Sequence, residues 1–383
     1  EIDQSVRLDN GPYLSSSFSG NEDKFTVSLW LKRWKLGSDQ IIMSAAGSNH
    51  PGGADIHQFG IDSSDRLFAY AYENSSSEKY NVKTNRRLRD VSNWYHVVYI
   101  YDSGNGTSSD RIKLYINGEL QTDLAENSYP SQNLNNYINN GEPWIIGEES
   151  RRLRYPLAAY LAEFNFIDGQ AYDASYFGEL HTVSNQWIPK EYAGSYSGTS
   201  FYLKFADGSS LGTDSSGEGN NWSTSSLDSS DKLLDTPTNN FCTLSPLLTD
   251  TRSDSSFSQG NLTVTTGSGA STVGTAFPQT TGKWYAEFVC TAKSSTNMMI
   301  GVNSVEGFDG ERQGNESQNG GVGYGYINNG NNALPDGSNN SYGASWAIDD
   351  VMGIALDLDN NTVNFYKNNA AQGTISISDG YDY

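Results

Sequence analysis

Cysteine, histidine and long apolar runs are scarce in this sequence, and each scarcity excludes a class of protein. Cys242 and Cys290 are the only cysteines among 383 residues, so one disulfide is the maximum and a disulfide framework is excluded. No C-x-x-C motif and no cluster of cysteine with histidine occurs, which excludes the usual structural zinc sites. No apolar run reaches the roughly 18 residues of a membrane-spanning helix, so we expect no membrane insertion.

Basic residues are also few. The chain has 24 Lys and Arg against 45 Asp and Glu, which gives a formal net charge of −21. A surface of this sign repels the phosphate backbone of DNA and RNA, so we expect no nucleic-acid partner.

The dominant hydrophobic period is two residues rather than 3.6. Short runs rich in Val, Ile, Tyr, Phe and Trp alternate with polar residues and are bounded by Gly, Asn, Asp and Ser, which is typical of antiparallel strands. This pattern predicts an all-β protein with two antiparallel β-sandwich domains. The clearest predicted strands are residues 25–34, 66–72, 94–102, 111–119, 159–168, 283–290, 350–359 and 362–368.

A change of composition separates the two predicted domains. Residues 206–231 are almost entirely Ser, Gly, Asp and Asn, whereas 233–248 regain apolar residues and proline. A segment so polar cannot form a core by itself, so we interpret it as a connector followed by an extended strap. The expected organisation is a first domain at 1–205, a polar connector and strap at 206–257, and a second domain at 258–383.

The stretch "IALDLDNNTVNFYKNN" at residues 354–369 contains a D-x-D motif, Asp357 and Asp359, next to Asn360-Asn361. Such a motif can hold a metal ion, share catalytic protons or flank a hairpin turn. Alternation places the leucines on the core face and both aspartates on the outer face, and Asn tolerates the positive φ of tight turns. The pattern favours the hairpin.

Two families resemble successive parts of the chain. The pieces "FTVSLWLKR", "DIHQFGIDSSDRLFAYAY", "WYHVVYIYD", "IKLYINGE" and "LAEFNFIDG" resemble, in this order, a laminin G-like jelly roll of the concanavalin A-like lectin and glucanase superfamily. The pieces "GKWYAEFVC", "MIGV", "GVGYGY" and "DDVMGIALDLDNNTVNFYKN" resemble a SPRY domain. The chain ends at Tyr383, before such a domain normally closes its last strand, so we expect the second domain to be incomplete here.

The tandem arrangement is similar to that of structural proteins of marine bacteriophage particles. This resemblance implies a non-enzymatic protein outside the cell, on the virion surface in a tail, a fibre or a capsid attachment. It also implies a homo-oligomer whose partners are other virion proteins, host cell-surface polysaccharide or both. A purely structural decoration or filament subunit is the first alternative.

The second alternative is a polysaccharide depolymerase, because the same superfamily includes glucanases. Retaining glycosidases need two carboxyl groups about 5–5.5 Å apart. Glu148 and Glu149 are adjacent, so in a strand they point to opposite faces, and Glu163 and Asp168 also fall on opposite faces. We therefore predict no catalytic residues and no enzymatic activity.

The laminin G resemblance also implies a calcium site at one rim, calcium being the only cofactor we expect. Asp55 in "GGADIHQFGID" occupies the matching position, and the opposing loop 133–143 offers Asn136 and Asn139. Hard cations prefer such oxygen ligands. In the alternative interpretation, Asp55 caps its own loop or forms a salt bridge within it.

Arginine clusters and loop aromatics are the candidate ligand-binding residues. Arginine forks bind carboxylate or sulfate groups in a bidentate manner, so an acidic polysaccharide is one ligand class for such a cluster. A solvated loop or a contact with acidic neighbours is the alternative. The candidates are Tyr137, Trp144, Arg151, Arg152, Arg154 and Tyr155 in the first domain and Tyr342 and Trp346 in the second.

Overall fold

A computed structural model describes residues 2–9, 11–47, 55–73, 77–249, 255–266, 271–275, 277–292, 298–305 and 322–383. The described chain is built almost wholly from antiparallel strands, which confirms the predicted all-β class. It divides into two compact units. The first unit contains Glu1–Thr243 and Ser258–Thr263, and the second contains Leu244–Phe257 and Val264–Tyr383.

Most strands are short and follow one another closely along the chain. The strands up to residue 243 are β1 (Ser5–Asp9), β2 (Tyr13–Ser16), β3 (Lys24–Arg33), β4 (Gln40–Ala46), β5 (Ile56–Ile61), β6 (Arg66–Glu73), β7 (Ser77–Arg87), β8 (Tyr95–Asp102), β9 (Ile112–Ile116), β10 (Glu119–Leu120), β11 (Leu124–Ser128), β12 (Trp144–Ile146), β13 (Ala158–Asp168), β14 (Gly178–Leu180), β15 (Trp187–Pro189), β16 (Phe201–Leu203), β17 (Ser223–Ser225) and β18 (Lys232–Leu233). The strands that follow are β19 (Leu244–Thr249), β20 (Ser256–Ser258), β21 (Thr263–Thr265), β22 (Val273–Thr275), β23 (Lys283–Val289), β24 (Met299–Asn303), β25 (Gly323–Ile327), β26 (Asn332–Ala333), β27 (Val351–Asp357), β28 (Thr362–Lys367) and β29 (Ala370–Ser376). The described helices are short 3₁₀ turns at Ser108–Asp110, Ala174–Tyr176 and Ser229–Asp231.

Two antiparallel sheets pack face to face in the first unit. The first sheet has the order β10-β9-β8-β3-β13-β1-β18, with β16 also paired to β13, and the second has the order β11-β7-β6-β5-β4-β12-β2-β17. Phe25, Val27 and Tyr99 of the first sheet meet Phe59 and Met43 of the second in one buried cluster. This arrangement is the β-sandwich predicted from the alternation of apolar residues.

Strand β3 is buried on both of its faces. Its inner face contributes apolar side chains to the sandwich core. Its outer face presents Trp30 and Lys32, and Trp34 directly follows the strand; each of the three is no more than 4% exposed. The ammonium of Lys32 lies 2.8 Å from Asp235 Oδ2 and donates to the carbonyl of Phe241 at 2.7 Å. Burial lowers the pKa of Lys32, and the Asp235 carboxylate opposes this shift.

The segment that covers this outer face is the strap, residues 232–243. Besides its bonds to Lys32, Asp235 accepts a hydrogen bond from Trp94 Nε1 at 3.0 Å and its carbonyl accepts one from Ser5 Oγ at 2.6 Å. The contacts are thus concentrated on one residue, Asp235, which fixes the strap against the sheet. Farther along the same face, Trp187 Nε1 donates to His96 Nδ1 at 3.0 Å.

The polar connector is part of the first unit rather than a free linker. Strand β17 within it pairs with β2, and β18, which directly follows it, pairs with β1. Trp222 is 5% exposed and Leu211 is 2% exposed, and both belong to the main core cluster. The first unit therefore continues past the boundary at residue 205 expected from composition, because two apolar residues are enough to anchor this Ser- and Gly-rich segment.

The second unit also places one sheet against another. A four-stranded sheet of order β23-β27-β28-β29 and a three-stranded sheet of order β24-β25-β26 share a core that includes Ile354, Val363 and Tyr326. The ring of Tyr326 lies 5.7 Å from that of Phe365, joining the two sheets. The predicted second sandwich is therefore present.

The D-x-D motif flanks a hairpin turn between β27 and β28. Asp357 accepts hydrogen bonds from the backbone N–H and side chain of Asn360 at 3.1 and 2.9 Å, and it lies 2.9 Å from Lys283 Nζ. Asp359 accepts from the backbone N–H of Gly282 at 3.0 Å. Both aspartates thus fix the turn and the neighbouring strand.

Cys242 and Cys290 are both free thiols. Within the described residues, no helix is long and apolar enough to cross a membrane.

Replacement of Trp222 by alanine tests whether the connector belongs to the core. The substitution should destabilise the first unit by about 3–5 kcal/mol, because a large buried side chain is removed. Differential scanning calorimetry of the full chain measures this as a lower unfolding temperature. The matched variant Trp284→Ala, at a side chain 48% exposed in the second unit, should leave the first unit's transition unchanged. An unchanged unfolding temperature in the Trp222→Ala variant would contradict the assignment of the connector to the core of the first unit.

The hairpin turn predicts a residue-specific effect at Asn361, whose φ is 52°. Asn361→Val should destabilise the second unit by about 1–2 kcal/mol, because β-branched residues resist the left-handed conformation. Asn361→Gly is the matched control and should preserve stability, since glycine adopts positive φ without strain. Equal urea midpoints for the valine and glycine variants would show that the turn is assigned incorrectly.

Candidate functional site

The outer face of the second sheet presents a row of polar side chains at matching positions on four strands. Ser44 of β4 pairs with Gln58 of β5, Gln58 pairs with Tyr70 of β6, and Tyr70 pairs with Asn81 of β7. We call these four residues the polar row. Their neighbours in each strand, such as His57 and Ala69, point into the core, so alternation directs the row away from it.

Two tyrosines form the centre of this face. Tyr70 and Tyr72 lie two residues apart on β6, are both half-buried, and have ring centroids 5.7 Å apart. The amide oxygen of Asn81 is buried without a hydrogen-bond partner in the described structure. The face therefore offers two aromatic rings with their hydroxyl groups side by side.

The outer faces of the two sheets differ in how far other segments cover them. The outer face of the first sheet is covered by the strap and by Trp187, and its central residues Trp30, Lys32 and His96 are buried. Gln58, Tyr70, Tyr72 and Asn81 on the second sheet retain intermediate exposure. The second sheet is thus the one that leaves polar and aromatic groups accessible to a ligand.

The predicted arginine cluster borders this face. Glu149 is fully buried and lies 3.5 Å from Arg151 Nε and 3.4 Å from Arg154 Nε. The guanidinium of Arg151 also lies over the ring of Tyr72, 5.3 Å from its centroid. The Glu149 carboxylate offsets one of the positive charges of this cluster. Arg152 is exposed and donates its backbone N–H to Glu149 Oε2 at 2.9 Å. These contacts with Glu149 hold the loop in place at the edge of the outer face.

Tyr155, another predicted ligand-binding residue, lies in the same loop. Its φ is 59°, and the guanidinium of Arg154 is 4.6 Å from its ring centroid. The structure thus brings Arg151, Arg152, Arg154 and Tyr155 together beside Tyr72.

The residues predicted to hold calcium do not form one cage. Asp55 Oδ2 accepts a hydrogen bond from Tyr137 Oη at 3.3 Å. The amide oxygen of Asn136 accepts the N–H of Ile138 at 3.0 Å, whereas Asn139 donates to Asp168 Oδ1 at 3.0 Å. Loop 133–143 turns both asparagines inward, so this donor set does not fit a calcium ion at Asp55. In the described residues, no group of three or more His, Cys, Asp or Glu side chains is arranged for a metal.

A chain of buried polar groups lies beneath this rim. Tyr80 Oη is 3.1 Å from His57 Nδ1, accepts from Asn136 Nδ2 at 3.1 Å, and is 3.4 Å from Tyr99 Oη. Complete burial lowers the pKa of His57 to about 3. Partial burial, with nearby Glu73 and Asp55, raises the pKa of Tyr137. These groups are neutral near pH 7 and support the rim.

Two predicted loop-tip aromatics are core residues instead. Trp144 lies in β12, is completely buried, and packs edge-on against Phe18 and Phe166. Trp346 is 4% exposed and belongs to the core of the second unit. The expectation that they stack on sugars from a loop is wrong, because each completes a hydrophobic core. Tyr342 is half-buried and donates to the carbonyl of Gly373.

The residues of the polar row were not among the sequence-based candidates. The signal was present in the alternation of "HQFGID" and "RLFAYAY", which places Gln58, Tyr70 and Tyr72 on the face opposite to Phe59 and Ala71. Alternation alone does not reveal which outer face another segment covers. The sequence therefore could not distinguish these residues from other polar residues on the outer faces of strands.

Comparison with protein families assigns both parts of the chain. Residues 3–174 match the concanavalin A-like lectin/glucanases superfamily, in its laminin G form, and residues 283–377 match the SPRY domain. The chain therefore contains a laminin G-like domain and a SPRY domain, which confirms both sequence resemblances. A search of curated proteins finds no match.

Several solved structures are similar to this chain. The heptameric SAP-like pentraxin of Limulus polyphemus is 20% identical, with 45% of this chain and 78% of that chain covered and a TM-score of 0.33. The CBM40 of Ruminococcus gnavus IT-sialidase is 13% identical, with 46% and 96% covered and a TM-score of 0.34. Tailspike protein 2 of Escherichia coli O157:H7 bacteriophage CAB120 is 11% identical, with 45% and 23% covered and a TM-score of 0.31.

The buried imidazole of His57 predicts a loss of stability in acid. Its pKa is lowered from an unfolded value near 6.5 to about 3, so its contribution is present above pH 6.5 and is lost as the pH falls towards 3. His57→Gln should reduce the slope of unfolding free energy against pH by up to about 1.4 kcal/mol per pH unit between pH 6 and 4.

Urea unfolding at several pH values measures this slope. The control is His181→Gln, which replaces an exposed histidine and should keep the wild-type pH dependence. If both variants share one slope, His57 does not titrate as a buried neutral group.

Proposed function

We propose that the protein binds glycans without enzymatic activity, through the outer face of the second sheet of its laminin G-like domain. The observation on which this proposal depends is the in-register polar row with Tyr72 beside it. Sugar rings present hydroxyls around apolar faces, and side-by-side tyrosines with amide groups complement both features. The strap leaves this face accessible while it covers the corresponding face of the first sheet.

The uncharged side chains at the centre of the face favour a hydroxyl-rich polysaccharide. Arg151 and Arg154 lie at the edge of the face next to the buried Glu149 carboxylate, which offsets one of their two charges. The members of the polar row that keep partial exposure are a glutamine, a tyrosine and an asparagine, since Ser44 is buried. Uncharged groups of this kind discriminate sugars by hydrogen-bond geometry rather than by Coulomb attraction.

The absence of catalysis is part of the proposal. Glu148 and Glu149 lie in the loop at the edge of the face, and Glu149 is occupied by Arg151, Arg154 and the N–H of Arg152. A carboxylate so engaged is poorly suited to act as a nucleophile. A polysaccharide depolymerase is therefore the less favoured alternative.

The biological setting proposed is the outside of a marine bacteriophage particle. It is supported by the sequence resemblance of the tandem laminin G-like and SPRY domains to virion structural proteins. In this setting the first unit meets host cell-surface polysaccharide, and the second attaches the protein, as an oligomer, to other virion proteins.

A purely structural role is the second candidate, and one observation favours it. Strand β23 of the SPRY domain exposes Trp284, Tyr285 and Val289, at 48%, 56% and 52%. Exposed apolar side chains grouped on one strand are typical of protein contact surfaces.

Substitution of the two tyrosines tests glycan binding. We expect the full-length protein to bind at least one polysaccharide on an array of bacterial glycans. Tyr70→Ala and Tyr72→Ala should each weaken that binding roughly tenfold or more, as central aromatic contacts do at interfaces. Tyr176→Ala removes a tyrosine that is 44% exposed, in the 3₁₀ turn Ala174–Tyr176, and serves as the matched control with unchanged binding.

Two outcomes contradict the proposal in different ways. If the wild-type protein binds no polysaccharide, the glycan-binding function is wrong and the structural role is favoured. If it releases reducing sugar from a bound polysaccharide, the assignment as a non-enzyme is wrong.

A further inference from the structure

Strand β23 lies at one edge of the four-stranded sheet of the second unit. Among the strands that the structure describes, it pairs with β27 and with no other. Six of its seven residues are exposed, and they include Trp284, Tyr285 and Val289 at 48%, 56% and 52%. Large apolar side chains on a free sheet edge are typical of a surface that a further strand covers.

The backbone of every second residue of β23 faces away from β27. The N–H of Leu358 donates to the carbonyl of Gly282 at 2.9 Å, just before β23 begins. Because hydrogen bonds alternate along an antiparallel pair, the even-numbered residues of β23 bond to β27 and the odd-numbered residues point outwards. Lys283, Tyr285 and Glu287 therefore offer backbone donors and acceptors at the free edge, where no described residue bonds to them.

The opposite edge of the same sheet has a different shape. The register of β29 with β28 shifts by one residue at Gln372, and the following Gly373 has a φ of 142°. Such a bulge bends an edge strand and interrupts its pairing, which hinders the addition of a further strand. The register of β23 with β27 is unbroken over seven residue pairs. Of the two edges, β23 is therefore the one suited to pairing.

The two charged residues of β23 have opposite signs and lie four positions apart. Lys283 Nζ lies 2.9 Å from Asp357 Oδ2 within its own sheet. Glu287 accepts a hydrogen bond from Tyr285 Oη at 2.8 Å, and no Lys, Arg or His of the described residues forms an ion pair with it. Tyr285 is midway between the two charges. An antiparallel second copy centred on Tyr285 thus places Lys283 of each chain opposite Glu287 of the other, and opposite charges in direct cross-strand pairs stabilise a sheet.

The aromatic residues also fit this register. Trp284 of one copy lies opposite Ala286 of the other, so a large ring meets a small side chain, and the two Tyr285 side chains are opposite each other. Trp284 Nε1 donates to the carbonyl of Thr281 at 2.7 Å, which orders the ring before association and lowers the entropy lost on pairing.

Other two-fold registers fit less well. Centring the pair on Ala286 leaves Lys283 opposite Val289. Centring it on Glu287 places two carboxylates opposite each other, and like charges in this position are destabilising. The charges therefore select the register centred on Tyr285.

We propose that two copies of this chain associate through β23, antiparallel and centred on Tyr285, so that their two four-stranded sheets become continuous. Such a two-fold contact uses the same patch on both copies and closes at a dimer. One edge strand contributes a small interface, so we expect an affinity in the micromolar range or weaker. This inference goes beyond glycan binding, since it holds whatever the first unit binds.

Sedimentation velocity of the full chain over a concentration series tests the proposal. We expect the mass to rise from that of one chain towards twice that value at about 10–100 μM protein. The measurement is made at physiological ionic strength, because salt screens the repulsion between copies of net charge −21 beyond about 8 Å.

Charge reversal tests the register. Lys283→Glu creates two contacts between carboxylates in the dimer and Glu287→Lys creates two contacts between ammonium groups, so each variant alone should dimerise roughly tenfold more weakly or worse. An equimolar mixture of the two variants restores two opposite-charge contacts and should recover most of the lost affinity. The mixture carries the test, because Lys283→Glu also removes the contact with Asp357. Differential scanning calorimetry establishes that each variant is folded.

A cysteine at the two-fold axis locates the contact directly. In a Cys242→Ser background, which removes the exposed thiol, Tyr285→Cys should form a disulfide between copies on oxidation with diamide. Directly opposed residues of a hydrogen-bonded pair have Cα atoms about 5.5 Å apart, within disulfide range. Ala286→Cys, which lies two residues away from its counterpart in this register, is a matched control. Ala371→Cys, exposed on the opposite edge strand β29, is another, and neither control should cross-link.

Three outcomes overturn the proposal. One is a protein that stays monomeric at every concentration, which leaves the β23 edge to a different partner. Another is association of equal strength in the wild type and both charge variants, which places the contact elsewhere. The third is a mixture of the two variants that stays as weak as either alone, which excludes this register. A monomeric protein that still binds a polysaccharide would refute this inference and leave the proposed function intact.

Discussion

The first unit depends on a single requirement, that the outer face of its central strand be shielded from water. Strand β3 presents Trp30 and Lys32 on that face, and the buried Trp34 directly follows the strand. A buried ammonium is tolerated only when it is paired and hydrogen-bonded. Asp235 and the carbonyl of Phe241 supply these partners from the strap. The strap and the polar segment leading to it are therefore components of the fold.

Because the strap covers only one of the two sheets, the two outer faces of the sandwich differ in accessibility. One face is closed by the strap, and the other retains the polar row with Tyr72 and the Glu149-centred loop at its edge. The proposed glycan-binding surface therefore lies on the second sheet, which is supported by a buried network around His57 and Tyr80.

Sequence patterns predicted the local features well and the site only in part. Alternation placed Leu356 in the core and Asp357 at the turn, because a strand's side-chain direction is a local property. The arginine loop was also found, since charge clusters are visible in sequence. Trp144 was misjudged because an aromatic next to a Gly- and Asn-rich loop looks exposed until the opposite sheet is known. Asn139 was predicted to lie beside Asp55, whereas it donates to Asp168, because the position of its loop also depends on the packing of distant segments.

The sequence by itself determined the all-β class, the two domains and the identity of their principal hairpins, because these follow from period-two alternation and turn chemistry within short segments. Only the tertiary structure decided that residues 206–243 complete the first unit, that the second sheet remains accessible, and that Asp168 and Asn139 meet. Those outcomes depend on contacts between residues far apart in the chain, and the packing of sheets and loops, rather than any local pattern, brings such residues together.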